Sequence, residues 1–170
     1  MLLSTPRHDS SVSATDFSLL DVVCGEMISL KDFDLSNGFV VAFICNHCPY
    51  VQAVIKQLVS VAGTLQRKHI PVFAIMSNNY AFVETDSPEY MKVFATEYGF
   101  TFPYLVDEDQ SVAKAYDAVC TPDLFGFAGD RTMQYRGSID TLEIAMIQIK
   151  ETGKGPADYG ASQGCSIKWK

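Results

Sequence analysis

The chain has 170 residues, 48% of them apolar and 19% charged, and its 13 lysines and arginines stand against 20 acids for a net charge of −7. That balance fits one domain with a sizeable core and excludes a wholly disordered chain. No apolar run approaches the roughly 18 residues of a membrane span. An acidic chain without a basic cluster repels nucleic acid and anionic membrane, and the N-terminus has no secretory h-region beyond Leu2 and Leu3, so a cytoplasmic, reducing setting is expected.

In chain order, residues 1–15 read as a loose polar tail, residues 16–151 as the folded domain, and residues 152–170 as a glycine-rich surface wrap of the same domain. Residues 16–33 alternate around Cys24-Gly25 and predict a small hairpin. Phe39 to Ile44 and Ile70 to Met76 are continuous apolar runs of strand formers, the pattern of buried parallel strands. Between them Val51, Val54, Ile55, Leu58, Val61, Ala62 and Leu65 recur at helical spacing. Pro49 suits the first helical position and Arg67-Lys68 the last turn.

Ser87-Pro88-Glu89 announces another helix, ending at Gly99. A strand over 102–106 follows, then a short helix over 109–117 and a hairpin of 124–128 with 132–136 around Gly129-Asp130. Asp140 with Glu143 forms a capping signal for a last helix to about Glu151. The sum is a three-layer α/β/α sandwich with a mixed central sheet, parallel inside, and an N-terminal hairpin extension.

Five cysteines carry the functional signal: Cys24, Cys45, Cys48, Cys120 and Cys165. In a reducing compartment a close pair reads as catalytic or metal-binding before it reads as structural. Cys45-Asn46-His47-Cys48 is a C-x-x-C between a buried strand and a helix, where open α/β sheets gather reactive groups. With Pro49 at the first helical position, Cys48 is the N-cap and faces free N–H groups and the positive end of the helix dipole. Such a site lowers a thiol pKa and makes the thiolate that attacks disulfides or peroxides. A protonated His47 adds to that. Cys45 is placed to resolve an oxidised Cys48. The bland alternative is a pair of buried structural thiols.

FICNHCPYV at 43–51, FPYLVDEDQSVAKAY at 102–116, CTPDLF at 120–125, YRG at 135–137 and GCSIKW at 164–169 together resemble the peroxiredoxin-like branch of the thioredoxin fold, the alkyl hydroperoxide reductase/thiol-specific antioxidant (AhpC/TSA) family. The resemblance implies a thioredoxin-like fold and puts Cys48 on the family's nucleophilic or peroxidatic cysteine. It puts Cys45 where peroxiredoxins carry Thr or Ser, and Thr121-Pro122 where they carry the thiolate-holding arginine. Arg136 lies later, in the hairpin, and is not expected to replace that arginine. Thr121-Pro122 resembles instead the cis-proline loop of thioredoxins, whose residue before proline offers backbone groups to an extended peptide.

Three functions compete. The first is a thiol–disulfide oxidoreductase using Cys48 and Cys45 on a protein or small-molecule disulfide, with a thioredoxin- or glutathione-type electron donor and no cofactor. The second is an antioxidant thiol peroxidase reducing hydroperoxides at Cys48, with Cys45 or Cys165 resolving. The third is a copper-binding module using Cys45, Cys48, His47 and Cys120 as soft ligands. Asn46, His47, Pro49, Thr121 and Pro122 are supporting residues in the first two, and Cys120 and Cys165 are candidate third thiols. Cys24 in its turn reads as structural, and Asn78-Asn79 as a turn rather than a border of the active face.

Overall fold

A computed structural model describes residues 1–170. Ten strands and four α-helices follow the chain. They are β1 (Leu2–Ser4), β2 (Ser18–Asp21), β3 (Met27–Ser29), β4 (Phe39–Phe43), α1 (Pro49–Arg67), β5 (Val72–Met76) and α2 (Pro88–Tyr98). After these come β6 (Tyr104–Val106), α3 (Ser111–Ala115), β7 (Cys120–Thr121), β8 (Asp123–Phe127), β9 (Met133–Arg136), α4 (Ile139–Thr152) and β10 (Gln163–Ser166).

Seven strands form the central sheet in the order β3-β2-β6-β5-β4-β8-β9. The inner pairs β4–β5 and β5–β6 are parallel, and both edges are antiparallel hairpins. The two apolar runs are the two strands that need cover on both faces. In β4 the alternation is visible: Val40 and Ala42 join the core beneath α1, α2 and α4, while Phe39, Val41 and Phe43 join the core beneath α3 on the opposite face. No helix is long and apolar enough to cross a membrane.

Local signals mark the helix ends. Cys48 is the N-cap of α1 with Pro49 in its first turn, and Gly99, at φ 66°, closes α2 in the left-handed conformation that glycine adopts without strain. The last helix begins earlier than the D-x-x-E signal suggested. Ser138 is its N-cap and Asp140 sits inside the first turn, where a carboxylate complements the dipole without capping.

The largest departures lie at the termini. Residues 2–4 are not a loose tail but strand β1, and the C-terminal wrap contributes β10. These two and β7 form a second sheet in the order β1-β10-β7. Nothing in local composition announces a ladder between residues some 160 positions apart, such as Leu2 with Cys165.

Candidate active site

Sheet register assembles the site. In the antiparallel pair of β4 and β8, Phe43 stands opposite Asp123. Continuing that register outward brings Cys45 against Thr121, and the Cys45 thiol lies 3.3 Å from the Thr121 hydroxyl. The Thr121–Pro122 peptide is cis, as the resemblance implied. Cys45 and Cys48 are both wholly buried and free, and their thiols face one another.

The two thiols are not equivalent. The neutral Cys48 thiol donates to the Thr121 carbonyl at 3.1 Å. Its thiolate has other partners: the Cys45 thiol, then the backbone amides of Cys165 and Val51. Together these outweigh burial and hold Cys48 well below the ordinary thiol range. Cys45 moves the opposite way, raised by donating to Cys48, by burial and by the nearby Asp86 charge. The contacts thus favour the thiolate at Cys48 and the protonated thiol at Cys45.

Asp86 is the residue that sequence reading missed. It lies outside every regular motif, yet is wholly buried. Four donors converge on its carboxylate: the amides of Asn46 (2.8 Å) and His47 (3.2 Å), the Asn78 side chain (2.9 Å) and His47 Nδ1 (2.6 Å). Burial works against its charge, but these bonds prevail and the carboxyl stays below its usual range. Asp86 in turn raises the His47 pKa above its ordinary value by hydrogen bonding, against partial burial.

Asn46 is held on three sides. Its side chain donates to the Thr85 carbonyl and accepts from Tyr104 Oη, while its carbonyl accepts from Gln52. The C-x-x-C loop is therefore fixed by its own two central residues. Asn78 is not merely a turn residue: beyond binding Asp86 it accepts the Lys168 amide and so ties the C-terminus to the site.

Of the remaining candidates, Cys165 joins the site and Cys120 stands beside it. Cys165 pairs with Thr121 across β10 and β7, and its thiol faces Cys48. Cys120 is buried, with its thiol 3.6 Å from the Pro122 carbonyl and its pKa pushed up to about 12 by burial and by Asp123. Cys24 is exposed in the β2–β3 turn and donates to Asp21. Arg136 does not serve the thiols. Its guanidinium grips the buried Asp123 carboxylate at 2.7 and 3.0 Å and donates to the Asp117 carbonyl at 2.8 Å.

A sulfur of Cys45, a nitrogen of His47 and an oxygen of Asp86 lie within 4.8 Å of one another. This differs from the set of the copper-binding alternative, which used Cys48 and Cys120 in place of Asp86. His47 Nδ1 and both Asp86 oxygens are already engaged by hydrogen bonds, so a metal there would have to break the contacts that hold the loop.

A buried C-x-x-C at a strand-to-helix junction beside a cis-proline loop, on a mixed sheet flanked by helices, defines a thioredoxin-like protein. Comparisons make the family specific: the AhpC/TSA family matches residues 11–139, and the chain belongs to it. A solved structure of an uncharacterized conserved protein from Geobacillus kaustophilus is 37% identical with a TM-score of 0.92, covering 100% of this chain and 97% of that one. A hypothetical protein from Sinorhizobium meliloti is 32% identical at TM-score 0.89, covering 98% and 99%. A secreted Mycobacterium tuberculosis disulfide oxidoreductase shares the fold at TM-score 0.63 and 18% identity, covering 76% and 93%. No curated protein matches. Membership in this family makes the chain an oxidoreductase of the thioredoxin fold.

Proposed function

We propose that this oxidoreductase carries out thiol–disulfide exchange, with Cys48 as nucleophile and Cys45 as resolving thiol. The observation that carries the reading is the unequal pair, a thiolate-favouring Cys48 against a protonated Cys45. The Cys48 thiolate attacks a disulfide R–S–S–R′, forms a Cys48–S–S–R bond and releases R′S⁻. The negative charge at Cys48 is then gone, and with it the largest cause holding the Cys45 proton. Cys45 can now ionise and attack the Cys48 sulfur, closing a Cys45–Cys48 disulfide and releasing RS⁻. A thioredoxin- or glutathione-type donor returns the dithiol.

Two features favour exchange over a fast peroxidase. Cys45 occupies the place of the peroxide-positioning Thr, and Arg136 is committed to Asp123. The test is stopped-flow oxidation of the reduced protein by oxidised glutathione and, separately, by hydrogen peroxide, with Cys48→Ser and Cys45→Ser alongside. Exchange lost in Cys48→Ser, and no Cys45–Cys48 disulfide but continued uptake of oxidising equivalents at Cys48 in Cys45→Ser, is the expected result. A peroxide reaction far faster than that of a free thiolate would make peroxide reduction the function instead. Equal rates in wild type and Cys48→Ser would remove Cys48 from the chemistry.

A further inference from the structure

The exchange reaction meets an obstacle in the fold. Cys45, Cys48 and Cys120 are all wholly buried, so Cys48 meets an external disulfide only through a local opening, and a Cys45–Cys48 disulfide left after closure is again shut away from an external reductant. Cys165 is the one thiol in contact with Cys48 that is partly exposed.

Its position is built in. Strand β10 lies between β1 and β7, and its register sets Cys165 opposite Thr121, whose carbonyl is 3.1 Å from the Cys48 sulfur. Gly164 makes that approach possible, because a Cβ there would stand 2.0 Å from the Thr121 carbonyl oxygen. Beyond β10 the chain is pinned to the site: Asn78 accepts from the Lys168 amide, and Lys168 offers its carbonyl to the Asn79 amide and the Gln110 side chain. The Cys165 side chain packs against the core cluster that contains Cys45 and Cys48.

We propose that Cys165 is a second resolving thiol, which carries the disulfide from buried Cys48 to a sulfur that an external dithiol can attack. The inference rests on Cys48 as nucleophile. A Cys48–S–S–R bond is attacked at the Cys48 sulfur by Cys165, which forms Cys48–S–S–Cys165. RS⁻ leaves and takes up the proton that Cys165 gives up. One thiol of a dithiol donor then attacks the sulfur of the partly exposed Cys165, and Cys48 departs as the thiolate. The donor's second thiol attacks the donor sulfur of that mixed bond, leaves the donor as a disulfide and returns Cys165 as a thiol. Cys48 is the better leaving group of the two, because a thiol of lower pKa leaves faster. Burial and the facing Cys48 raise the Cys165 pKa, with Lys168 offsetting part of it, and the Cys48 contribution falls away once Cys48 is held in a mixed disulfide.

The test uses the full chain carrying Cys45→Ser, oxidised with glutathione disulfide and mapped by mass spectrometry of non-reduced peptides. A Cys48–Cys165 link is expected as the main product, and it is replaced by a Cys48–glutathione adduct when Cys165→Ser is added. A persistent glutathione adduct with Cys165 free would overturn the proposal. This mapping keeps Cys165 native, so it decides even if Cys165 variants fold poorly. In the otherwise native protein, Cys165→Ser is expected to slow reduction of the oxidised form by dithiothreitol roughly ten-fold or more, and an unchanged rate would count against the proposal. Loss of all glutathione uptake in Cys48→Ser separates the two levels: if uptake persisted there, the nucleophile assignment would have failed rather than the role of Cys165.

Discussion

A carboxylate with no access to water ordinarily takes up a proton, and Asp86 escapes this because four donors saturate it. The sign of the linkage follows. Asp86, held below its usual range, contributes stability above pH ~4 that is lost as pH falls through its folded pKa. His47, raised above 6.5, contributes stability that is complete below that value and lost as pH rises through its folded pKa. Asp86→Asn is therefore expected to lower stability by about 1–3 kcal/mol, with the largest gap from wild type between those limits. Melting temperatures of both proteins from pH 3 to 9 would show it. The His47 midpoint, read by NMR, should fall in the variant, and an unmoved midpoint would mean the Asp86 contact does not set it.

Cys48 depends on its partner in a similar way. The Cys45 thiol is the foremost support of its thiolate. Cys45→Ala removes that donor and should move the Cys48 titration, followed by thiolate ultraviolet absorbance, upward by roughly a unit or more. Cys45→Ser keeps a hydroxyl donor and should shift it less. Equal shifts in the two variants would show that packing, rather than the hydrogen bond, sets the Cys48 pKa.

At the scale of elements, the legible parts were those whose signals are local. The β4 and β5 runs, the α1 periodicity and its Pro49 start, and the Gly99 stop each depend on residues within a few positions. Asp86 was not legible, since a short ETD turn acquires meaning only when β4 and α1 bring Asn46 and His47 over it. The two-residue strand β7 was equally silent.

The cis-proline element also hides a buried pair. Asp123 and Arg136 are nearly inaccessible, joined across the β8–β9 hairpin, and the guanidinium lies 4.5 Å from the Phe125 ring centroid. Arg136→Met would leave Asp123 uncompensated and is expected to destabilise the fold by roughly 3–5 kcal/mol. Replacing both, with Asp123→Leu added, should recover much of that loss. A denaturant-based double-mutant cycle measures it, and a double variant no better than the single would show that the pair is not the source.

At the scale of the whole molecule, both termini meet over the active site. Strand β1 covers the outer edge of β10 through three residue pairs, and the Thr5 amide adds a bond to the Ser162 carbonyl. Deleting residues 1–5 removes that edge, including the Leu2 partner of Cys165, while leaving in place Cys45, Thr121, Val51 and Cys165, the residues named above as contacting Cys48. At about 0.5–1.5 kcal/mol net per hydrogen bond, opening of β10 away from β7 should become easier by roughly 2–4 kcal/mol. Alkylation of a buried thiol through such an opening scales with the open population. At ~1.4 kcal/mol per factor of ten, Cys48 modification by iodoacetamide should accelerate on the order of ten-fold to a thousand-fold. Hydrogen exchange at the amides of Gly164 to Ser166 should rise in step, whereas amides in β4 and β5 respond only to any loss of global stability. Faster exchange in β10 with unchanged alkylation would mean that β10 does not control access to Cys48. If neither changed, β10 would be held by β7 and the Lys168 contacts alone, and β1 would be a bystander at the edge.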